Sequence, residues 1–128
     1  MKSIRIAAVL AAFAILPATQ ATANDDGQKA FEKRCKACHD VKFEKHKVGP
    51  NLAGIMGRAA GTTDFKKYKA LEGVSFTWDE TNMDGWITDA KTYQKDHADM
   101  FSGKPTTMNV KVKDAAERAS IIEYLKSK

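Results

Sequence analysis

Cys35-Lys36-Ala37-Cys38-His39 is the stretch on which the reading of this chain turns. Two thiols three residues apart, with a histidine directly behind the second, make a Cys-x-x-Cys-His run, and the spacing has a mechanical meaning. At a helix end, thiols at that separation each reach one vinyl group of a porphyrin. The adjacent histidine is then carried under the iron as its fifth ligand. A redox dithiol would sit in a βαβ pattern, which is absent, and a zinc site would need further Cys or His at paired spacing. Only His46 and His97 remain for that purpose. Cys35 and Cys38 are therefore read as covalent anchors of one haem c, and His39 as a ligand of its iron.

Working outward, the anchors close a helix expected over 25–36, with Asp25 and Asp26 near its start and Ala30, Phe31 and Arg34 on one side. Residues 48–58 hold Gly49, Pro50, Gly54 and Gly57, so they read as loop with one short helical turn. A short helix is expected over 64–71, ended by Gly73. Thr77 is expected to cap a helix over 79–88, a second short helix covers 90–97, and 102–105 is turn chemistry. The clearest helix spans 114–126, with Asp114 and Glu117 in its first turns and Lys126 in its last. Its apolar face is expected along Ala115, Ala119, Ile122 and Lys126, with Ile121 and Leu125 alongside. No stretch alternates with a period of two, so the fold class is all-α with long connections.

Length and composition fit one small exported domain. The chain has 128 residues, two cysteines and a formal charge of +5. Lys2 and Arg5, an apolar run over 6–16 and Ala21-Thr22-Ala23 have the marks of a secretory signal peptide. The expectation is a leader over 1–23, cleaved after Ala23, and a domain over 24–128; an apolar run broken at Pro17 is too short to anchor in a bilayer of about 30 Å. Without the leader the charge falls to +3 and Leu, Ile, Val and Phe number 17 of 105 residues. That fraction is too low for an ordinary core, which suggests that something other than side chains fills it. Two cysteines exclude a disulfide-dense scaffold, and interspersed acids at +3 exclude a nucleic-acid footprint.

The chain resembles the class I c-type cytochromes, in particular small bacterial ones similar to mitochondrial cytochrome c. Gly27 and Phe31 stand before Cys35 at the family's spacing, and His46-Lys47-Val48-Gly49-Pro50-Asn51-Leu52 followed by Gly57-Arg58 looks like its central loop. The resemblance implies the cytochrome c fold, with N- and C-terminal helices packed together around one covalently attached haem. Gly27 and Phe31 should then meet Ile121 and Tyr124. The Pro50 carbonyl would accept the Nδ1–H of His39, which fixes the ring and raises its basicity. Arg58, Tyr68 and Trp78 match positions that hold a haem propionate, Trp86 falls where relatives carry a tyrosine, and Ala90 replaces a common proline. His46 reads as a structural loop histidine.

The resemblance also implies a methionine as sixth ligand. Met108, in Thr107-Met108-Asn109-Val110-Lys111-Val112 and ten residues before Arg118, is the favoured candidate. Met100, followed by Phe101-Ser102-Gly103, is the alternative, and His97 a distant third. Choosing Met108 places an insertion in the charged 93–104 segment, where loops tolerate length. A Met thioether opposite histidine favours ferrous iron and raises the potential. The implied activity is one-electron transfer without catalysis, by a periplasmic monomer. The implied partners are membrane redox complexes such as a cytochrome bc complex, with a terminal oxidase, photosynthetic reaction centre or periplasmic dehydrogenase beyond. Arg34, Lys47 and Lys91 are the docking candidates, while Lys66, Lys67 and Lys69 read as a solvated face. The alternative is a haem protein with an open or labile sixth position that binds small gases or peroxide.

Overall fold

A computed structural model describes residues 20–43, 45–67, 69–102 and 104–128. Its framework is the crossing of α1 (Gln20–Arg34) and α4 (Ala115–Lys126). Gly27, Phe31 and Cys35 fall on one face of α1 and its end at four-residue spacing, and all are buried. A Cβ at Gly27 would lie 2.3 Å from the Ser120 carbonyl oxygen and 2.8 Å from Tyr124 Cβ, so the helices approach this closely only over glycine. One turn further along, the Phe31 and Tyr124 rings meet at 5.4 Å. The helix already runs at Gln20, where the described residues begin, ahead of the expected residue 25, and it ends at Arg34 rather than residue 36. It ends early because the Cys35 and Lys36 N–H groups both donate to the Phe31 carbonyl, at 2.8 and 3.0 Å, which tightens the chain into the turn carrying the thiols.

The remaining elements are α2 (Glu80–Thr88), α3 (Ala90–Asp96) and a 3-10 turn at Ala98–Met100. Among the described residues the extended structure is an isolated bridge between Ala59 and Thr77, so the fold is all-α. Each of the three later helices is capped by an aspartate: Asp79 accepts from the Asn82 N–H at 2.7 Å, Asp89 from Thr92 at 3.2 Å and Asp114 from Glu117 at 2.7 Å. Thr77 is not the cap of α2. It lies in the bridge to Ala59, and its carbonyl accepts from Asn82 Nδ2 at 2.8 Å.

Two further expectations are corrected. No helix forms over the described part of 64–71, which runs in bends and turns. A segment of that length cannot offset the cost of helix nucleation without an apolar face to bury, and Lys66, Lys67 and Lys69 leave it little. The buried arc of α4 is Ile121, Ile122, Tyr124 and Leu125, while Ala115, Ala119 and Lys126 are exposed. Tyr124 is drawn inward by α1, and Arg118 by Asp84 on α2 at 2.7 Å. Between α2, α3 and the 3-10 turn, the Trp86 ring stacks on Phe101 and meets Trp78 edge-on at 5.6 Å.

Candidate functional site

The turn after α1 is drawn tight by N–H donation from Cys38 and His39 to the Cys35 carbonyl, at 3.1 and 2.9 Å. The Gly49 N–H then donates to the Cys38 carbonyl at 2.8 Å and pins the following loop against the turn. That contact places Pro50 so that its carbonyl oxygen lies 2.7 Å from His39 Nδ1. With Nδ1 engaged there, the other ring nitrogen is the one offered to a metal. Gly49 forms a wall beside the ring: a Cβ there would stand 2.4 Å from His39 Cε1.

Cys35, Cys38 and His39 line a cavity of about 610 Å³. Trp78 and Trp86 form part of its buried wall, with Ile121 and Leu125 from α4. Met108 lines it from the segment before α4, and so does Met83 of α2; Met100 packs against the core but does not line the cavity. Burial pushes the Cys35 thiol up to about 12, with Glu117 adding to the effect, so it stays a neutral, apolar group. Burial is also the largest influence on His39 and lowers its pKa, against the opposing pull of the Pro50 bond, which favours the neutral imidazole a metal needs.

The other expected residues are distributed unevenly. Pro50 lines the cavity, whereas Arg58 does not; its Nη2 donates to the Ala53 carbonyl at 2.7 Å and braces the loop. Tyr68 lies outside the described residues. His46 is held away from the cavity, with Nε2 on Asp64 and Nδ1 accepting from the Asn51 N–H at 3.1 Å. Arg34 grips Glu117 through two nitrogens at 2.9 and 3.0 Å. Lys66, Lys67 and Lys69 are exposed, as expected of a solvated face, and Lys66 and Lys69 also border the cavity's mouth. A charge run does not reveal in sequence which lysines border a cavity, and a glycine does not reveal which ring it touches.

The pairing of thiols, histidine and thioether on one apolar cavity fits covalent haem. A cytochrome c family model matches residues 24–128. Cytochrome c2 iso-2 of Magnetospirillum fulvum is 38% identical over 94 residues, covering 73% of this chain and 90% of that protein. Cytochrome c of Guizotia abyssinica is 34% identical over 119 residues, covering 91% and 97%. Among solved structures, cytochrome cH from Methylobacterium extorquens superimposes with a TM-score of 0.66 at 33% identity, covering 82% of this chain and 98% of that one.

All-α architecture, crossed terminal helices and this cavity define a class I c-type cytochrome. The chain belongs to the cytochrome c family, whose members carry covalently attached haem c with its iron, and it is a haem electron carrier.

Proposed function

We propose that the chain is a periplasmic one-electron shuttle whose iron is ligated by His39 and Met108. The observation that carries this reading is that Cys35, Cys38, His39 and Met108 border one cavity while Pro50 holds the histidine ring. When bound, haem c supplies a reversible one-electron couple. The protein's part is to attach the macrocycle through Cys35 and Cys38, orient His39 through Pro50, and exclude water with Trp78, Trp86, Ile121 and Leu125. With His39 and Met108 both holding the iron, a substrate would find no coordination site, which favours an electron carrier over an enzyme.

Export and cleavage after Ala23 are supported by the leader's pattern and by a family match that begins at residue 24. Residues 1–19 lie outside the described residues, and no described helix is long and apolar enough to cross a membrane. For partners the reading keeps membrane redox complexes such as a cytochrome bc complex and a terminal oxidase, photosynthetic reaction centre or periplasmic dehydrogenase. Lys47 and Lys91 supply positive charge that steers acidic surfaces, an effect that salt weakens. Arg34 contributes less, since its guanidinium is committed to Glu117. Exposed Val48 at the cavity's rim adds an apolar contact.

The test is an absorption spectrum of the reduced protein at neutral pH with and without carbon monoxide. A closed His39/Met108 pair leaves the spectrum unchanged. Strong carbon monoxide binding would transfer the reading to a gas- or peroxide-binding haem protein.

A further inference from the structure

Met108 sits in a segment without regular secondary structure, so its place at the cavity depends on where that segment is tied down. Downstream the ties are plain. The Val112 N–H donates to the Ile87 carbonyl at 2.9 Å, Val112 is fully buried, and Lys111 pairs with Asp89 at 2.8 Å. Upstream, a side chain of α3 supplies two ties. Gln94 Oε1 accepts from the Thr106 N–H at 2.8 Å, and Gln94 Nε2 donates to the Lys104 carbonyl. Thr106 is 3% exposed, and its Oγ1 accepts in turn from the Met108 N–H at 3.1 Å. The chain therefore runs from α3 through Gln94 and Thr106 to the methionine backbone.

The residue type suits the task. Lys104 offers a carbonyl and Thr106 an N–H, so one side chain must donate and accept at once, which a primary amide does. Glutamate could accept from Thr106 but not donate to Lys104. Methionine, of similar length, can do neither. We infer that Gln94 is a positioning residue that sets Met108 at the cavity through Thr106, a role that rests on Met108 being the sixth ligand.

The experiment uses the intact haem protein and two readouts: amide hydrogen exchange by NMR, and the pH at which the thioether–iron charge-transfer band disappears. In Gln94→Met, exchange at Thr106 and Met108 should accelerate about tenfold, the size of one net hydrogen bond, while Ile121 in α4 is unchanged. The band should disappear about one pH unit lower, the same factor read as a one-proton midpoint. Gln94→Glu should recover part of the Thr106 protection. Unaltered exchange at Thr106 and Met108, or equal acceleration at Ile121, would overturn the positioning role. Met108→Ala separates the two claims. If it abolishes the band while Gln94→Met leaves the midpoint unmoved, the Gln94 inference alone fails. If the band survives in Met108→Ala and is lost in Met100→Ala, the ligand reading fails and the inference with it.

Discussion

Gly49→Ala isolates one contact at His39, the histidine proposed to ligate the iron. Gly49 has ordinary backbone angles for any residue, since the glycines with positive φ are Gly54, Gly57, Gly61 and Gly73. The new methyl therefore meets only its neighbours, and the His39 ring is the nearest: Cε1 at 2.4 Å, Nδ1 at 2.9 Å and Nε2 at 3.0 Å. Carbon atoms settle at about 3.5–4.0 Å, so ring and loop must part by about 1 Å. The ring is anchored on one edge by the 2.7 Å contact to the Pro50 oxygen, and the loop by the Gly49 N–H on the Cys38 carbonyl. One of these bonds has to lengthen past usefulness. Overpacking costs about 1–3 kcal/mol and a lost hydrogen bond about 1 kcal/mol, so the expected destabilisation is about 2–4 kcal/mol. In a domain of this size that is a Tm loss of about 8 °C or more. Thermal unfolding of the ferric protein measures it, and the reduction potential should shift with it, because the Pro50 bond sets the basicity of the ligand. A Tm within 2 °C of the parent, with an unmoved potential, would refute the claim that Gly49 walls the histidine.

Cys38→Ser should weaken or abolish the covalent attachment, read as haem extracted by acid and organic solvent; haem that stays with the polypeptide as firmly as in the parent would count against the anchor assignment. Asp89→Asn keeps the cap of α3 but removes the charge that faces Lys111. The Lys111 side chain, with the Thr92 N–H second, holds the Asp89 carboxyl down at about 2, below its ordinary 3.8. A depressed carboxyl contributes stability that is fully present above its unfolded value and lost as pH falls through its folded one. The stability gap between parent and variant in urea should thus be constant above about pH 4 and close between pH 4 and 2; a gap that persists at pH 2 would separate it from the ion pair.

The grouping of Cys35, Cys38 and His39 was legible from local spacing, whereas the Pro50–His39 contact and the Gly27–Tyr124 crossing were implied by the family resemblance and are present in the structure. Cys35, Cys38 and His39 lie within one turn of chain, and Gly27, Phe31 and Cys35 share a helical face whatever they pack against. Asp114 was recognisable as an early-helix acid for the same reason. The burial of α4 was not, because it is decided by two neighbours. Tyr124 faces α1, Ile121 and Leu125 border the cavity, and the resulting arc leaves Ala115 and Ala119 in solvent. In residues 64–71 the three lysines leave little apolar face for a helix, and the apolar groups Phe65 and Leu71 border the cavity instead. Gly49 and Gln94 act across space on residues of other segments, and nothing in their own sequence surroundings announces it.

Ile121 and Leu125 serve the helix crossing and the cavity at once, which couples folding to attachment of the cofactor. Both are almost fully buried on α4, at 0% and 2% exposure, and both line the cavity that Cys35 and Cys38 border. Seventeen Leu, Ile, Val and Phe in residues 24–128 leave few other large apolar groups to hold α1 against α4. A domain of about 100 residues has only a few kcal/mol to spare, and a ligand that binds the folded state alone can supply most of it. The expected behaviour of the Cys35→Ser/Cys38→Ser chain, purified without haem, is therefore a loss of cooperative thermal unfolding. Its far-ultraviolet circular dichroism should show much of the helicity of α1 and α4 gone at 25 °C. Cys38 is only half-buried and adds little to that loss, whereas Cys35 is buried and its replacement accounts for part of it. A sharp unfolding transition in the haem-free chain, with helicity near that of the parent, would show that the side-chain core suffices and that the cofactor is a passenger in the fold.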